Sequence, residues 1–280
     1  MLVCSAFLFS TMGLFIRVVS AHADNTLIVF SRNLAGVVLL TPTMLIRNGP
    51  ASLKTSRPLL HLGRALSGLA AMYGFFYALA HIPLANAMVF TYSAPVFIPL
   101  IAWLALDEQI DGRIITATLL GLIGVLLVCK PHAAWFNLMS LCGTASALLA
   151  AIAFVSVRAL TATESPQRIV LYFAVISTLL SFIPYRLSHP HGQHLQSHTI
   201  LLLGGIGTLA TLSQLCLSKA YSLAPASRIA PINYLAIIIS GIYAWVLWGE
   251  TPDMAALAGA VLIFLATYLC LGKAPAKQLP

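Results

Sequence analysis

Two tyrosines stand at corresponding places in two long apolar stretches of the chain. Tyr92 lies in TYSAPV and Tyr234 lies in PINYLA, 142 positions later (234 − 92 = 142). A tyrosine ring can stack on a ligand while its hydroxyl hydrogen-bonds it, but a packed aromatic bonded to a neighbouring helix gives the same pattern. The uncharged polar side chains of Thr91, Ser93 and Asn233 accompany them. Polar groups in apolar helices usually face the bundle interior, so these five residues are candidates for binding a ligand or for joining helices.

Three prolines interrupt the same stretches. Pro95 and Pro99 follow Tyr92, and Pro231 precedes Tyr234. Each proline removes a backbone donor and distorts a helix, which frees carbonyl groups that protein or cavity water must satisfy. The pattern predicts either a bend or an unwound turn at a binding site, or helix curvature alone.

Charged and amide side chains within apolar segments need a reason to be there. Arg32 stands in VFSRNLAG, and an arginine at the centre of a membrane helix costs roughly 2.5 to 3.5 kcal/mol. Its side chain either reaches the membrane surface or binds an anionic group. Gln214 lies inside a later apolar segment and is a second candidate for the same interior, with interfacial anchoring as the alternative.

Two arginines occupy nearly equivalent positions at opposite ends of their segments. Arg17 ends the first segment and Arg158 ends the sixth, 141 positions apart (158 − 17 = 141). Such residues can gate two mouths of one cavity or attract a substrate to them. Ordinary anchoring in the lipid interface is the favoured explanation.

The seven acidic residues all fall at predicted helix ends or in loops; they are Asp24, Asp107, Glu108, Asp111, Glu164, Glu250 and Asp253. A proton-coupled exporter of cationic drugs would use a carboxylate within the membrane as relay and counter-charge, so that class fits poorly. An anionic or zwitterionic ligand fits better. Glu108 and Glu250 are predicted to stabilise the start of the following helix, and Thr251 with Pro252 to cap the last helix.

Catalytic and metal-binding patterns are missing from the chain. The sequence contains no HExxH, GxSxG, Walker A or GxGxxG motif, so we predict neither an enzyme nor a bound cofactor. The five cysteines have no CxxC spacing and are read as small apolar fillers. The histidine-rich stretch HPHGQHLQSH is read as a solvated loop, since no carboxylate or cysteine completes a metal site there.

The composition shows what must position these residues. Apolar residues make up 60% of the 280, charged residues 8%, and mean hydropathy is +0.94, which predicts an all-α integral membrane protein. The basic excess forms no patch, so a nucleic-acid partner is not expected. Ten transmembrane segments are predicted, near 2–20, 26–46, 59–80, 85–105, 113–130, 138–160, 167–187, 199–222, 226–248 and 253–272.

The chain repeats itself over half its length. Residues 78–108 align without a gap to residues 220–250, with Pro83 matched by Pro225 and Trp103 by Trp245. We therefore predict two repeats, 1–136 and 137–280, each of five helices. Because five is odd, the second repeat enters the membrane in the opposite orientation, which gives an inverted repeat of the kind found in secondary transporters.

The distribution of basic residues predicts the orientation. With a cytoplasmic N-terminus, only Arg17, Lys130 and Arg186 lie near the outer surface, and nearly all other basic residues lie inside. This positive-inside pattern predicts an inner (plasma) membrane protein with both termini cytoplasmic.

The two aligned stretches, the first followed by an apolar helix with GLIGVLLV, resemble the EamA repeat of the drug/metabolite transporter superfamily. The run FSRNLAGVVLL adds to the resemblance, which covers nearly all of the chain. It implies a ten-helix carrier whose cavity is lined mainly by the first, third and fourth helices of each half. The second copy departs from the first, because Ile237 stands at the position of Pro95 and the copy carries Pro231 instead.

The resemblance and the missing carboxylates together predict a secondary-active carrier. Its expected function is export of small zwitterionic or anionic metabolites, such as amino-acid-like compounds, by alternating access. Its expected partners are a small-molecule substrate and the lipid bilayer, as a monomer or homodimer, with any coupling ion left open. Two alternatives remain: uptake of a nucleoside-like cofactor such as S-adenosylmethionine, and a non-transporting membrane scaffold or sensor.

Overall fold

The computed structural model describes residues 1–81, 89, 92–130, 138–189 and 195–271. Its helices, numbered in chain order, are α1 (Leu2–Val19), α2 (Asn25–Asn48), α3 (Pro58–His81), α4 (Ala94–Leu106), α5 (Gly112–Cys129), α6 (Leu138–Leu160), α7 (Pro166–Ser188), α8 (Ser197–Leu223), α9 (Ala226–Trp248) and α10 (Met254–Leu271). A short 3₁₀ helix, Pro50–Leu53, follows α2. No described residue forms a strand, so the all-helical prediction is confirmed for this part of the chain.

Seven of the described helices are long and apolar enough to cross a membrane. In each of them less than half of the most apolar window is buried inside the protein. Large apolar side chains are exposed instead, for example Val261 and Phe264 on α10. Such surface would be costly in water but is the natural contact for lipid chains.

Local capping determines where several helices begin. Asp24, Asp111 and Ser165 have extended backbone and accept a hydrogen bond from the amide three residues later. Asp253 accepts in the same way from the amide of Ala256, 3.0 Å away. The predicted cap at Thr251 and Pro252 is therefore wrong, because α10 begins at Met254 behind a carboxylate that can reach its free amides.

Helix α9 is wound in three parts. A single α-turn, Ala226–Ile229, leads into a 3₁₀ segment, Ala230–Tyr234, and then into a regular α-helix, Leu235–Trp248. Pro231 is the second residue of the 3₁₀ segment, directly after the single α-turn, so its missing amide hydrogen falls where the winding of α9 changes. Pro95 stands in the first turn of α4, where an amide has no intrahelical partner, whereas Pro99 lies inside that helix.

Glycines let some helices approach backbone to backbone. A Cβ added at Gly124 of α5 would lie 2.7 Å from the carbonyl oxygen of Gly259 on α10, and one added at Gly259 would lie 2.6 Å from the carbonyl oxygen of Gly124. Close approach of this kind is how helices pack in lipid, where the hydrophobic effect does not press them together. Helix α1 likewise packs on α8 and α9, and α3 packs on α6 and α7.

Serine hydrogen bonds join these pairs of helices. The Ser5 hydroxyl of α1 donates to the carbonyl oxygen of Ser213 on α8 (2.9 Å), and the Ser146 hydroxyl of α6 donates to that of Ala71 on α3 (2.6 Å). The two donors are 141 positions apart (146 − 5) and the two acceptors 142 apart (213 − 71). The same bond thus recurs at repeat-equivalent places.

A buried carboxylate fastens the loop before α3 to the loop before α7. The Glu164 side chain is fully buried and accepts from the Thr55 hydroxyl at 2.6 Å, from the Ser56 amide at 3.2 Å and from Arg168. Arg168 also donates to the Ser52 carbonyl oxygen at 2.7 Å. Burial alone would raise the pKa of Glu164, but the bonds from Thr55, Arg168 and Ser56 outweigh it and lower that pKa.

We expect Glu164→Gln to lower the free energy of unfolding by about 3 kcal/mol, because it leaves Arg168 without its counter-charge in a buried place. Thermal unfolding of the purified protein in detergent measures the effect. Glu250→Gln is the control, since its exposed ion pair is worth at most about 1 kcal/mol. The pKa of Glu164 is lower in the folded protein than its unfolded value of 4.5. Its contribution to the free energy of unfolding is therefore complete above pH 4.5 and is lost only as the pH falls through the folded pKa. Equal unfolding temperatures in the two variants would contradict this role.

Candidate functional site

Two arginines enter the interior of the bundle from adjacent helices. Arg64 of α3 is 3% exposed, its guanidinium carbon lies 4.2 Å from the ring centre of Phe173, and its Nη2 donates to Gln214 Oε1 at 3.2 Å. Arg32 of α2 is partly buried and donates from Nη1 to the thioether sulfur of Met72 at 2.9 Å. Within the described residues, no carboxylate reaches ion-pair distance of either arginine. Two of the predicted candidates, Arg32 and Gln214, thus lie close to a buried cation that carries no counter-charge.

Uncharged donors add to this interior. The buried amide nitrogen of Asn233, the Tyr221 hydroxyl and Arg64 Nε have no hydrogen-bond partner among the described residues. Tyr221 is fully buried on α8 and close enough to interact with both Asn233 and Arg64. A buried donor without an acceptor is costly, so the chemistry of these groups suits a ligand that is rich in acceptors.

The two repeat-equivalent tyrosines have different surroundings. Tyr234 is fully buried, its ring lies against the backbone of Gly121 on α5, and its hydroxyl is 3.5 Å from the Thr118 carbonyl oxygen. Tyr92 is only partly buried and lies close to Ser240 of α9. These surroundings favour a packing role for Tyr234 and leave Tyr92 as the better ligand candidate of the two.

Ser93 already has a hydrogen-bond partner. Its hydroxyl donates to the Val89 carbonyl oxygen at 2.6 Å, so it adds no free donor to the interior near the two arginines. The other polar candidate beside Tyr92, Thr91, lies outside the described residues.

Arg158 ends α6 in a network that joins both repeats. Its Nε lies 3.4 Å from Glu108 Oε1, and its Nη1 donates to the Tyr221 carbonyl oxygen at 2.8 Å. Glu108 also accepts from the amides of Ala226 and Ser227, both at 3.0 Å, and from the Ser227 hydroxyl at 2.7 Å. A carboxylate there stabilises the positive end of α9. The network thus joins the end of α6 to the end of α8 and the start of α9.

Arg17 ends α1 in the equivalent pair at the other end. Its Nη2 lies 2.7 Å from Glu250 Oε1, and its guanidinium carbon lies 4.0 Å from the ring centre of Trp248. The side chains of this pair are 49% and 54% exposed, against 15% and 9% for Arg158 and Glu108. The two ends of the bundle therefore carry matching ion pairs in unequal states of burial.

The partner of Glu108 differs from the sequence prediction. Glu108 stabilises the start of α9, a helix of the other repeat, whereas Asp111 caps the following helix, α5. The signal was present in the sequence, because the arginines recur at a spacing of 141 and the glutamates at 142 (250 − 108). Nearly equal spacing of opposite charges indicates two copies of one ion pair.

Histidines form two pairs of contacts at the Arg17 end of the bundle. The rings of His22 and His198 are 5.3 Å apart between centres, and His189 Nε2 lies 3.5 Å from Asp24 Oδ1. The described residues contain no group of three or more side chains able to hold a metal ion. His191 and His194, the other two histidines of the loop, lie outside those residues.

Comparisons with known proteins point to one family. The model of the EamA-like transporter family matches residues 1–130 and 137–272. The pseudopaline exporter CntI of Pseudomonas aeruginosa (strain UCBPP-PA14) is 32% identical over 94% of this chain and 92% of its own length. An S-adenosylmethionine uptake transporter of Rickettsia bellii is 30% identical over 86% of this chain and 81% of its own.

Two further comparisons agree. A riboflavin transporter of Brucella anthropi is 28% identical, over 87% of this chain and 86% of its own. One crystal structure superposes with a TM-score of 0.82 over 96% of this chain and 94% of that chain, at 17% identity. At that identity the superposition supports the fold alone.

We expect Tyr92→Phe to lower transport more than Tyr234→Phe, because the Tyr92 side chain is partly exposed, whereas Tyr234 is fully buried against α5. Transport per folded protein, measured by substrate efflux and fluorescence-detected size exclusion, compares the two. Tyr268→Phe is the control, since Tyr268 is 74% exposed on α10. A larger loss in Tyr234→Phe would reverse the assignment.

Proposed function

The chain belongs to the EamA-like transporter family, and from this premise we propose that it is a secondary carrier that exports small anionic or zwitterionic metabolites by alternating access. The relatives are named as transporters, and family and relatives indicate a multi-pass membrane transporter and not an enzyme. The observation that carries the mechanism is the recurrence of one arginine–glutamate pair at both ends of the bundle.

An inverted repeat of five helices each accounts for that recurrence. Shifted by 142 positions, Ala94–Leu106 becomes 236–248 and Gly112–Cys129 becomes 254–271, which matches the second part of α9 and all of α10. The helix contacts also survive the exchange of halves, since α1 with α8 becomes α6 with α3, and α4 with α6 becomes α9 with α1. The family matches leave the stretch 131–136 between them, which supports repeats of 1–136 and 137–280.

The two ion pairs serve as gates in this proposal. Arg158 and Glu108 hold the end of α6 to the start of α9, and their burial supports a closed gate on that side. Arg17 and Glu250 are half exposed, which supports a looser gate on the other. Rocking one repeat against the other would exchange the two states and expose the interior to each side in turn.

The buried arginines support an acidic substrate. Arg32 and Arg64 place positive charge and spare donors in the interior, and the described residues offer no carboxylate there to hold a substrate's cation. Uptake of a nucleoside-like cofactor is the second candidate, favoured by the relatives named for S-adenosylmethionine and riboflavin. The positive-inside pattern supports an inner-membrane location with both termini cytoplasmic.

A paired metabolite profile of cells and medium tests the function. A deletion strain is compared with one overproducing the protein, and an acidic metabolite should leave the cells in proportion to expression. Accumulation of a compound inside the cells as expression rises would indicate uptake in place of export. If no compound depends on expression under broad growth conditions, the scaffold alternative replaces transport.

We expect Glu108→Gln to open the gate that it closes, because the variant loses the charge that binds Arg158 and the start of α9. In a cysteine-free background, a cysteine at buried Val155, three residues before Arg158, reports opening by its reaction with a membrane-impermeant maleimide. Its reaction rate should rise on the order of tenfold, the equivalent of 1.4 kcal/mol in the gate equilibrium.

Glu250→Gln is the matched control for this experiment. It removes the equivalent charge from the exposed pair and should leave the reaction of the Val155 cysteine unchanged or slower. A rise of equal size in both variants would mean that neither pair gates one side selectively.

A further inference from the structure

Arg64 is the most deeply buried cation among the described residues, and it lies where the chain gives it no acid. Its side chain is 3% exposed, while its Nη2 is bonded only to the neutral Gln214 and its Nε has no partner there. A buried charge without a counter-charge is strongly destabilising. Burial of Arg64 therefore lowers the stability of the folded bundle.

We propose that Arg64 is the principal anion-binding residue of the carrier and that Arg32 supplies the second positive charge. The substrate is then a small carboxylate with net negative charge. This inference rests on the proposed function and narrows its substrate class. Arg32 reaches the same helix as Arg64, since its Nη1 bonds to the thioether sulfur of Met72, a weak acceptor eight residues beyond Arg64 (72 − 64 = 8). A carboxylate between the two guanidinium groups would supply both with strong acceptors.

Three neighbours fix the direction of the Arg64 guanidinium. The Phe173 ring lies 4.2 Å from its carbon and holds the plane, and Gln214 holds Nη2 at 3.2 Å. Gly68, four residues further along α3, leaves the room that the group occupies, since a Cβ there would lie 2.3 Å from Nη1. This arrangement turns a flexible side chain into a placed one, which reduces the entropy lost on binding.

The charge balance selects anions over zwitterions. A zwitterion brings an ammonium group, and the described residues place no carboxylate beside Arg32 or Arg64 to receive it. A dicarboxylate matches the two cations without such a requirement. Substrates with more acidic than basic groups should therefore bind best.

The first test needs no substrate. Arg64→Gln should raise the unfolding temperature of the purified, ligand-free protein by a few degrees and abolish efflux, because it removes an unpaired buried charge that only transport uses. A structural arginine would behave in the opposite way, with a lowered unfolding temperature in Arg64→Gln. That result would overturn the proposal.

The second test displaces the guanidinium without removing its charge. Gly68→Ala should push the flexible end of Arg64 aside and weaken anion binding at least tenfold, whereas Gly63→Ala, with no atom within 4 Å of the new methyl, should bind as the original protein does. Binding is read from the rise in unfolding temperature with succinate, with its neutral diamide as the probe for non-ionic effects. Equal rises in unfolding temperature with succinate in the two alanine variants would count against anion binding by Arg64. The absence of any rise in the original protein would do the same.

The outcomes separate this inference from the proposed function. If the metabolite profile identifies a neutral or cationic exported compound whose efflux survives Arg64→Gln, the result supports the carrier function and overturns the anion-binding role of Arg64. If succinate binds through Arg64 but the level of no compound depends on expression, the result supports the anion-binding role and overturns export.

Discussion

Lipid offers no hydrogen bonds, and this one constraint governs the structure. Every backbone and side-chain polar group at membrane depth must find a partner within the protein, in cavity water or in a ligand. The helices meet it internally, and serine hydroxyls meet it by donating to carbonyl oxygens across helix pairs. Among the described residues, the buried groups left without a partner include Arg64 Nε, the Asn233 amide nitrogen and the Tyr221 hydroxyl. These are the groups that the proposed site offers to a ligand.

The ends of the bundle obey a weaker form of this constraint, because water reaches them. There the chain uses charge, with Glu108 at the start of α9 and Glu250 beside Arg17. A carboxylate at a helix start is a strong contact that breaks without leaving an unsatisfied group once water enters. A contact that is strong without water and can be replaced by bonds to water suits a gate. A buried arginine inside the bundle suits a ligand-binding site.

Much of this organisation could be predicted from the chain. Segments predicted near 113–130 and 199–222 became Gly112–Cys129 and Ser197–Leu223, because hydrophobic length and capping residues fix helix ends within a few positions. The spacing of Arg17 and Arg158 identified both arginines but not their partners. Glu108, the partner of Arg158, also bonds to residues 118 and 119 positions away, and contacts so distant along the chain are not apparent from a local pattern. The exposure of a side chain such as Tyr92 or Tyr234 also depends on which helix lies opposite, which spacing along one helix does not determine.

In the proposed mechanism the two repeats agree at the gates and differ at the binding site. The two proposed gates must work alike, and Arg17 with Glu250 matches Arg158 with Glu108. The substrate has no twofold symmetry, so a site that fits it need not have any either. At an offset of 142, Arg32 corresponds to Ala174 and Arg64 to Ile206, both apolar. Both cations of the interior thus come from the first repeat, while Gln214, Phe173 and Tyr221 of the second repeat surround Arg64. A ligand bound there would touch both halves at once, so it would bias the equilibrium between their relative positions, which is the coupling a carrier requires.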